Sequence, residues 1–341
     1  MPSPEAAGGS ARTAERAPAT GTGRSLLAIL ALVAALACYP LAFPGALNFG
    51  FSLVLFGALA TSWDVVGGRA GQLSLGHAAF VGLGAYTTAL LWQRAGLAPW
   101  WGVLVAAGLG AALAAAWGWT TFRLRGAYFS LSTIAVAEVL RVVANNWSEL
   151  TGGPEGLSVN DLPSPFGLSL FSRGVQFYLA LAVLALALLA SYRVGTSRFG
   201  AYLEAVREDE DSSMALGVNP ARVKLAAFAL SAALTVVGGA LYGIYLSFFE
   251  PHGVFGLDLS VQLVLMAIVG GMGTLFGPVL GAFVLLGFQE AFRSTFQQAS
   301  LFIYGVLIVV VVRWAPDGLA GRLGTAWRRL RHGRRAVGPI G

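Results

Sequence analysis

Charged residues are scarce in this sequence, and their scarcity excludes an ordinary soluble domain. Only 22 Lys and Arg and 16 Asp and Glu occur among 341 residues, or 11%, whereas roughly 25% is usual in soluble proteins. The chain is also 56% hydrophobic, and its apolar runs reach the roughly 17–25 residues that a helix needs to cross a bilayer. These runs cannot all form the core of one soluble domain. We therefore expect an all-α, polytopic protein in a lipid bilayer.

Cysteine and lysine are almost absent, and each absence excludes a chemistry. Cys38 is the only cysteine, so no internal disulfide can form. Lys224 is the only lysine and lies in PARVKL, whereas a phosphate-binding P-loop needs G-x-x-x-x-G-K-[ST]. The chain therefore cannot hold ATP in that way, and we expect no cofactor or metal in it. The basic residues are spread over loop ends without interleaved aromatics, so no nucleic-acid partner is expected.

Ten transmembrane or re-entrant helices are predicted from the apolar runs. They are placed at residues 26–43, 47–66, 73–92, 99–122, 127–144, 175–192, 223–246, 258–275, 277–292 and 300–313. The fifth, eighth, ninth and tenth are short or polar enough to be tilted or re-entrant. The transmembrane domain is then 25–315, between a disordered cytoplasmic N-terminal tail, 1–24, and a basic cytoplasmic tail, 316–341.

The distribution of basic residues predicts the orientation, because short cytoplasmic loops collect Lys and Arg. With the N-terminus inside, eighteen basic residues fall on the cytoplasmic side. Four fall outside: Arg94, Arg141, Arg173 and Arg293. Both tails are basic, so the number of spans is even and both termini are expected in the cytoplasm.

The stretch GGRAGQLSLGHAAFVGLGAY, residues 67–86, is unusually rich in glycine and polar residues for an apolar run. Helices in lipid approach closely through small residues, and polar residues inside a span are functional candidates. Glycine pairs recur at 238–239 and 270–271, and GTLFGPVLG follows the second pair. The candidates for helix packing or for a path through the membrane are Gly67, Gly71, Gln72, Ser74, Gly76, His77, Gly270, Gly271, Gly273 and Gly277. For His77, packing near the cytoplasmic turn is favoured over contact with a solute.

The same stretch has an internal echo. Shifted by 203 residues, GG at 67–68 falls on GG at 270–271, and five positions between 79 and 84 fall on identical residues between 282 and 287. Transporters often carry such repeats. A Gly-, Ala- and Val-rich chain also matches itself by chance, so a true repeat and a chance match both stay open.

The long polar cytoplasmic segment, 193–222, holds apolar residues at helical spacing. Gly217 supplies a stop and Pro220 prevents resumption, so a short amphipathic helix is predicted. Its polar face is net acidic, whereas a helix on an anionic membrane would show Lys and Arg. A protein partner is therefore favoured over a solvated connector. The residues assigned to this contact are Phe199, Tyr202, Leu203, Glu204, Arg207, Glu208, Asp209 and Gly217.

Other charges lie outside or within the spans. The outer segment 145–173 is rich in Gly, Pro and Ser and reads as a turn-laden loop, which could cap an external mouth or have no task. Within spans, Glu138 with Arg141 and Glu290 with Arg293 are three residues apart, so each pair can meet on its own helix. Asp64 and Asp258 have no evident partner in the sequence.

Five motifs together resemble the LivM-type permease subunits of branched-chain amino acid ABC importers. They are GGRAGQLSLGHAAFVGLGAY, RGAYFSLSTIAVAEVLR, LTGGPEGL, LEAVREDEDSSMALGVNPARVKLAAFALSAALTVVGGALYG and MAIVGGMGTLFGPVLGAF, and they run in order over roughly residues 45 to 315. DSSMA at 211–215 departs from the more apolar, alanine-rich run usual there.

The resemblance implies a non-enzymatic permease subunit in a prokaryotic plasma (inner) membrane. Its implied partners are a LivH-like permease subunit, two cytoplasmic ABC ATPase subunits that bind ATP and Mg, and an extracytoplasmic solute-binding protein. The helix from Phe199 to Leu216 becomes the coupling helix that seats in an ATPase cleft. Relatives that carry urea or short amides share these motifs, so the solute stays open.

Two other classes of function are weighed. An intramembrane hydrolase could use Ser74 and His77, since a serine nucleophile needs a base within hydrogen-bond reach. No G-x-S-x-G surrounds Ser74 and no third orienting group is evident. A proton-driven secondary transporter could titrate Asp64 or His77. ATP-dependent uptake into sealed vesicles separates this class from an ABC importer.

Overall fold

The computed structural model describes residues 22–122, 126–159, 169–293, 305 and 318–322. The helices of the first half are α1 Thr22–Ala37, α2 Tyr39–Ala42, α3 Leu47–Asp64, α4 His77–Ala95, α5 Pro99–Thr121, α6 Ala127–Asn146 and α7 Ser148–Thr151. Those of the second half are α8 Arg173–Thr196, α9 Arg198–Glu208, α10 Glu210–Ala215, α11 Pro220–Leu246, α12 Pro251–Phe255, α13 Leu257–Gly270 and α14 Gly277–Arg293. Short 3₁₀ turns cover Pro44–Ala46 and Gly153–Glu155, a π-helical turn covers Val65–Arg69, and two strands, β1 Leu157–Ser158 and β2 Phe248–Phe249, complete the described elements.

The described part of the chain confirms a polytopic, all-α membrane protein. Seven helical segments in it are long and apolar enough to cross a membrane: 23–42, 44–69, 99–121, 127–146, 173–196, 220–246 and 251–270. The 19-residue α4 and the 17-residue α14 occupy two more predicted spans. The tenth predicted span, 300–313, and most of both predicted tails lie outside the described residues. Helix α1 begins at Thr22, three residues before the predicted start of the transmembrane domain.

The centre of the bundle is formed by α3, α4 and α11, which pack side by side. Backbone contact between α4 and α11 is reciprocal: a Cβ on Gly84 would lie 2.2 Å from the Val236 carbonyl oxygen, and one on Gly239 would lie 2.3 Å from that of Val81. Glycine is therefore required at both positions, as expected where helices associate in lipid through small residues. The remaining helices surround this centre.

Contacts between distant segments define the two ends of the bundle. At one end, β1 pairs antiparallel with β2, with Leu157 opposite Phe249, so the 145–159 loop and the α11–α12 turn share a side. At the other end lie α9, the π-helical turn after α3, and the turn after α13, which are in mutual contact. Gly318 also packs against Gly271. The predicted alternation of sides is consistent with these pairings.

Three predicted helix boundaries are wrong. The third span begins at His77 and not at residue 73, because residues 70–76 leave the helix through Gly71, whose φ is +67°. The eighth ends at Gly270 and not at 275, because Gly271 adopts φ +115°, which L-residues rarely adopt. The coupling helix is two helices, because Asp209 is extended and caps α10 through its side chain.

Candidate coupling and translocation site

Two glycine-rich turns meet at the end of the bundle where α9 lies, which the distribution of basic residues predicts to be cytoplasmic. Asp64, the last residue of α3, accepts a 2.8 Å hydrogen bond at Oδ1 from the Gly273 amide. A Cβ on Gly68 would lie 2.0 Å from that carboxylate oxygen and 2.4 Å from the Gly273 nitrogen. Only glycine at 68 therefore lets the turn after α3 (65–76) lie against the turn after α13 (271–276).

Both turns have the same order of elements. In each, a GG pair lies at or close to the end of a continuous helical run (47–69 and 257–270), a short non-helical segment follows, and a helix resumes. These are the two segments that the 203-residue echo relates. The shared order and the direct contact between the turns support an internal repeat, which stays a prediction.

The second turn depends on glycine for space. A Cβ on Gly270 would lie 1.7 Å from the Gly277 carbonyl oxygen, and one on Gly277 would lie 2.2 Å from that of Gly271. Gly273 has φ +74°. The turn is closed further by Thr274, whose hydroxyl donates to the Gly271 carbonyl at 2.8 Å and accepts from the Gly277 amide at 3.1 Å.

Arg207 of α9 connects the coupling segment to both turns. Its Nη1 donates to the Gly68 carbonyl oxygen at 2.5 Å. A Cβ on Gly273 would lie 3.3 Å from the same nitrogen, and one on Gly71 would lie 2.8 Å from Arg207 Cγ. The side chain therefore fills the space between the turns. Sequence reasoning placed Arg207 on the polar face toward a partner; the structure directs it into the membrane domain.

Arg69 adds a second link at the same place. Its guanidinium donates to Ser191 Oγ of α8 at 3.0 Å, and its charge acts on Asp64 and on Glu204 of α9. Asp64 is fully buried and is flanked by the charges of Arg69 and Arg207. The carboxylate that had no evident partner in the sequence is thus the centre of a charged cluster that ties α3, α8 and α9 together.

The predicted coupling segment, which consists of α9 and α10 within 193–222, has a buried side and an exposed side. Of the apolar residues at the predicted helical spacing, Leu203 and Val206 are buried, Phe199 packs against the cluster that contains Leu203, and Tyr202 is exposed. Asp209 Oδ1 accepts from the amides of Asp211 and Ser212 at 2.9 and 3.1 Å, and Gly217 ends the segment with φ +83°.

Two acidic residues of the predicted polar face bind groups within this chain and are not free to contact a partner. Glu210 pairs with the single lysine, Lys224, which is itself buried at the start of α11. Asp209 is the cap of α10. The exposed side chains of the two short helices and of the residue after them include Tyr202, Glu204, Glu208, Asp211, Met214 and Leu216. In the sequence, Lys224 serves only to exclude a P-loop. Its position soon after the acidic run 208–211 was the signal that could have indicated this ion pair.

His77, Ser74 and Ser231 form a buried hydrogen-bonded chain between α4 and α11. The imidazole lies 2.9 Å from Ser74 Oγ through Nδ1 and 2.8 Å from Ser231 Oγ through Nε2. Ser231 donates its only proton to the Ser62 carbonyl at 2.6 Å, so it must accept from His77. This assigns a neutral imidazole with its proton on Nε2.

The hydrolase alternative gains no support from this geometry. Ser74 and His77 are hydrogen-bonded, but both side chains are completely buried. The far ring nitrogen meets a serine and not a carboxylate. The backbone around them is also fixed, because Trp63 Nε1 donates to the Ser74 carbonyl at 2.7 Å. The pair therefore resembles a satisfied packing contact, without an exposed nucleophile or an acidic orienting group.

The remaining candidate residues of the glycine-rich stretch 67–86 position the turn after α3. A Cβ on Gly76 would lie 2.4 Å from the Thr133 carbonyl oxygen, and one on Gly67 would lie 2.1 Å from the Trp63 ring. Gln72 is half-buried and donates to the Ala70 carbonyl at 3.4 Å. Among the described residues, no group of three His, Cys, Asp or Glu is placed to hold a metal ion.

Comparison with known proteins gives a consistent family. Residues 45–312 match the model of the family described as branched-chain amino acid transport system / permease component. The high-affinity branched-chain amino acid transport system permease protein LivM of Escherichia coli (strain K12) is 31% identical over 320 residues, which cover 87% of this chain and 75% of that protein. The corresponding LivH protein of the same organism is 26% identical over 289 residues, covering 78% of this chain and 91% of that protein.

A more distant relative comes from an archaeon. The probable branched-chain amino acid transport permease protein LivM of Methanocaldococcus jannaschii is 25% identical over 210 residues, covering 58% of this chain and 61% of that protein. No solved structure matches the chain.

Proposed function

The chain belongs to the family of branched-chain amino acid transport system permease components, and on that premise we propose that it forms the membrane path of an ATP-driven importer together with a LivH-like permease subunit. Branched-chain amino acids are the proposed solutes, because the LivM and LivH relatives at 31% and 26% identity are named for transport of these solutes. Two cytoplasmic ATPase subunits bind the ATP and Mg, and a solute-binding protein delivers the solute from outside. The chain is then a transport subunit of the inner membrane and not an enzyme, with both termini in the cytoplasm.

The observation that carries this proposal is the attachment of the coupling segment. Two short helices project an exposed face with Tyr202, Glu204 and Glu208, and Arg207 ties their inner side to the turns of the transmembrane domain. A surface that only connected two spans would not need a charged side chain that reaches between those turns to the Gly68 carbonyl. The segment is therefore suited to receive movement from an ATPase and to pass it inward.

The opposite end of the molecule is suited to receive the binding protein. The 145–159 loop is fixed there by the β1–β2 pairing and by Gln93 of α4, whose Nε2 donates to the Ser158 carbonyl. Arg94 likewise donates to the Glu149 carbonyl. These bonds give the outer mouth a defined shape, which docking of a second protein requires.

The function is tested by reconstitution of the complete complex in sealed proteoliposomes. We expect radiolabelled leucine to accumulate only when ATP is on the side of the ATPase subunits and the binding protein is on the other side. An imposed proton gradient without ATP should drive no uptake; uptake under that condition would make the chain a secondary transporter. Urea and acetamide serve as competing solutes, and preferential uptake of either would reject branched-chain amino acids.

The ATPase contact is tested by Glu208→Lys in the same vesicles. Reversal of an exposed charge on α9 should abolish ATP hydrolysis stimulated by the loaded binding protein, while the permease pair still assembles. Asp209 is unsuitable for this test because its side chain caps α10. Arg24→Glu, which reverses an exposed charge near the start of α1, is the control and should keep stimulation. Normal stimulation in Glu208→Lys would contradict the assignment of α9 to the ATPase contact.

A further inference from the structure

Helix α6 exposes a charged pair in the middle of a span. Glu138 accepts from Arg141 Nε at 2.9 Å and forms a second bond with Nη2 of the same side chain. The Glu138 side chain is 53% exposed and that of Arg141 is 27% exposed. Glu138 lies eleven residues beyond the start of α6 at Ala127, which is about 16 Å along the helix axis of a hydrocarbon layer of about 30 Å.

A lipid environment does not suit this pair. Ionisable residues inside membranes almost always face a bundle interior or a water-filled cavity, because hydrocarbon solvates charge poorly. Residues near helix ends can extend to the headgroups, but Glu138 is near the middle and its side chain is short. The face of α6 that carries the pair is therefore not a lipid-facing surface.

Helix α6 is peripheral in the described part of the chain, so groups beyond the described residues complete its surroundings. In the most apolar stretch of α6, 22% of the residues are buried, whereas 61% are buried in the corresponding stretch of α11. The exposed residues of α6 from Tyr128 onward are Tyr128, Leu131, Ala135, Glu138, Val139, Val142, Val143 and Asn146, so this face combines apolar side chains with the charged pair. By contrast, the exposed large residues of α8 are Tyr178, Leu186 and Leu189, and no charged residue occurs between Arg173 and Arg193. The face of α8, unlike that of α6, suits lipid.

Polar groups continue this face toward both membrane surfaces. On the cytoplasmic side, Ser130 donates to the Leu73 carbonyl at 2.6 Å, which sets the 70–76 turn with Gly71 and Gln72 beside α6. On the outer side, α12 packs against α6, and the exposed His252 is within electrostatic range of Glu138. Polar groups thus occur at both ends of α6 and at its middle, on a face that is otherwise apolar; we name this exposed face, from Tyr128 to Asn146, the α6 strip.

We propose that the α6 strip lines the solute path, and that Glu138 and Arg141 there receive the α-ammonium and the α-carboxylate of an amino-acid solute. A carboxylate and a guanidinium held side by side match the two charges of a zwitterion, and the pair satisfies itself when no solute is present. Weak, exchangeable contacts of this kind allow a solute to leave as well as enter. The identity of the solute rests on the proposed function; the position of the path does not.

Water access to the strip is tested first, with single cysteines in a Cys38→Ser background of the assembled complex. Ala135→Cys, one turn from Glu138, should react with a hydrophilic cationic thiol reagent, because only a hydrated thiol ionises. Leu186→Cys on α8 is the matched control and should stay unreactive. Saturating leucine with binding protein and ATP should slow the reaction at position 135 at least threefold. Equal, negligible reaction at both positions would place α6 against lipid or in a dry subunit contact and would overturn the proposal.

A charge exchange separates a solute contact from a structural ion pair. Glu138→Gln and Arg141→Gln should each lower leucine transport per assembled complex at least tenfold. In the double variant Glu138→Arg/Arg141→Glu the pair can re-form within the helix, so complex yield should be normal, but the order of charges along the path is reversed and transport should stay low. Full transport in the double variant, or in both single variants, would show a structural pair.

The proposed function is checked separately by leucine uptake with the unaltered chain in the same vesicles. Absence of uptake there would reject the solute, while the reaction at position 135 would still report the path. If the charge variants fail to assemble, the cysteine reactions alone decide the proposal.

Discussion

The amide of Gly273 donates a hydrogen bond of 2.8 Å to the carboxylate of Asp64, which is 209 residues away in the chain. This bond joins the end of α3 to the turn after α13, and Arg207 of the coupling segment binds the same place through the Gly68 carbonyl. Both turns lead directly into helices that begin again in the membrane domain, α4 and α14. A displacement of α9 would therefore act on two helices at once.

We expect Arg207→Gln to uncouple ATP hydrolysis from transport. Glutamine is too short and carries too few donors to fill the space between the turns, so movement of α9 would no longer reach them. The measurement is leucine transported per ATP hydrolysed, which should fall at least fivefold while the ATPase subunits still co-purify. Arg198→Gln, at an exposed position at the start of the same helix, is the control and should keep the ratio.

An unchanged ratio in Arg207→Gln, together with a lower melting temperature, would show that Arg207 only stabilises the fold. Loss of the ATPase subunits from the purified complex would instead place Arg207 in the subunit contact.

Gly84→Ala is expected to destabilise the bundle through the α4–α11 contact. The added Cβ would lie 2.2 Å from the Val236 carbonyl oxygen, so the two helices must separate, and overpacking of this kind costs about 1–3 kcal/mol. The melting temperature of the purified complex should fall. Gly108→Ala on α5, where a Cβ would meet nothing within 4 Å, should leave it unchanged or slightly raised. Equal melting temperatures for the two variants would contradict the close approach.

The orientation of the chain is tested by labelling single cysteines in a Cys38→Ser background. Ser158 is exposed on β1, and Ser158→Cys should react with an impermeant thiol reagent on spheroplasts, because the basic residues place this end outside. Ala215→Cys, exposed at the end of α10, should react only after lysis. The reverse pattern would invert the assigned orientation.

Much of the architecture could be predicted because each span corresponds to one continuous apolar run in the sequence. Apolar runs identified the long helices α1, α3, α4, α5, α6, α8, α11, α13 and α14, but not the short helices α2, α7, α10 and α12. The spacing of Phe199, Leu203 and Val206 identified the buried side of α9, although Tyr202 of the same spacing is exposed. The Glu138–Arg141 pair was also predicted, since both residues lie on one helix. In each case the interacting residues are neighbours along the chain.

The contacts between the turn after α3 (65–76) and the turn after α13 (271–276) could not be predicted, because they join residues that are distant in sequence. The sequence pattern placed Arg207 on the partner-facing side of a single helix. Nothing in the residues next to it in the sequence indicates a bond to Gly68, 139 residues earlier. The break at Asp209 was missed because an acidic run was read as a continuous polar face, whereas one aspartate in it caps the next helix. The role of Lys224 depended in the same way on a partner outside its own helix.

The last prediction concerns His77, which the sequence placed between packing and solute contact. In the structure the neutral imidazole accepts from Ser74 and donates to Ser231, and Ser231 in turn binds the Ser62 carbonyl. His77→Ala should leave the Ser74 hydroxyl without its partner, at a cost of about 1–3 kcal/mol, and should remove the donor to Ser231, which keeps its bond to the Ser62 carbonyl. We therefore expect lower yield and a lower melting temperature, with near-normal transport per assembled complex.

Thr88→Val supplies the control for this change, because Thr88 Oγ1 on the same helix is buried without a hydrogen-bond partner. Removing that hydroxyl leaves no partner unsatisfied, so its melting temperature should be unchanged or higher. The comparison isolates the hydrogen-bonded chain from the effect of altering a buried polar residue of α4. A normal melting temperature in His77→Ala with transport reduced tenfold would instead place the imidazole in the solute path, since packing would then not depend on it.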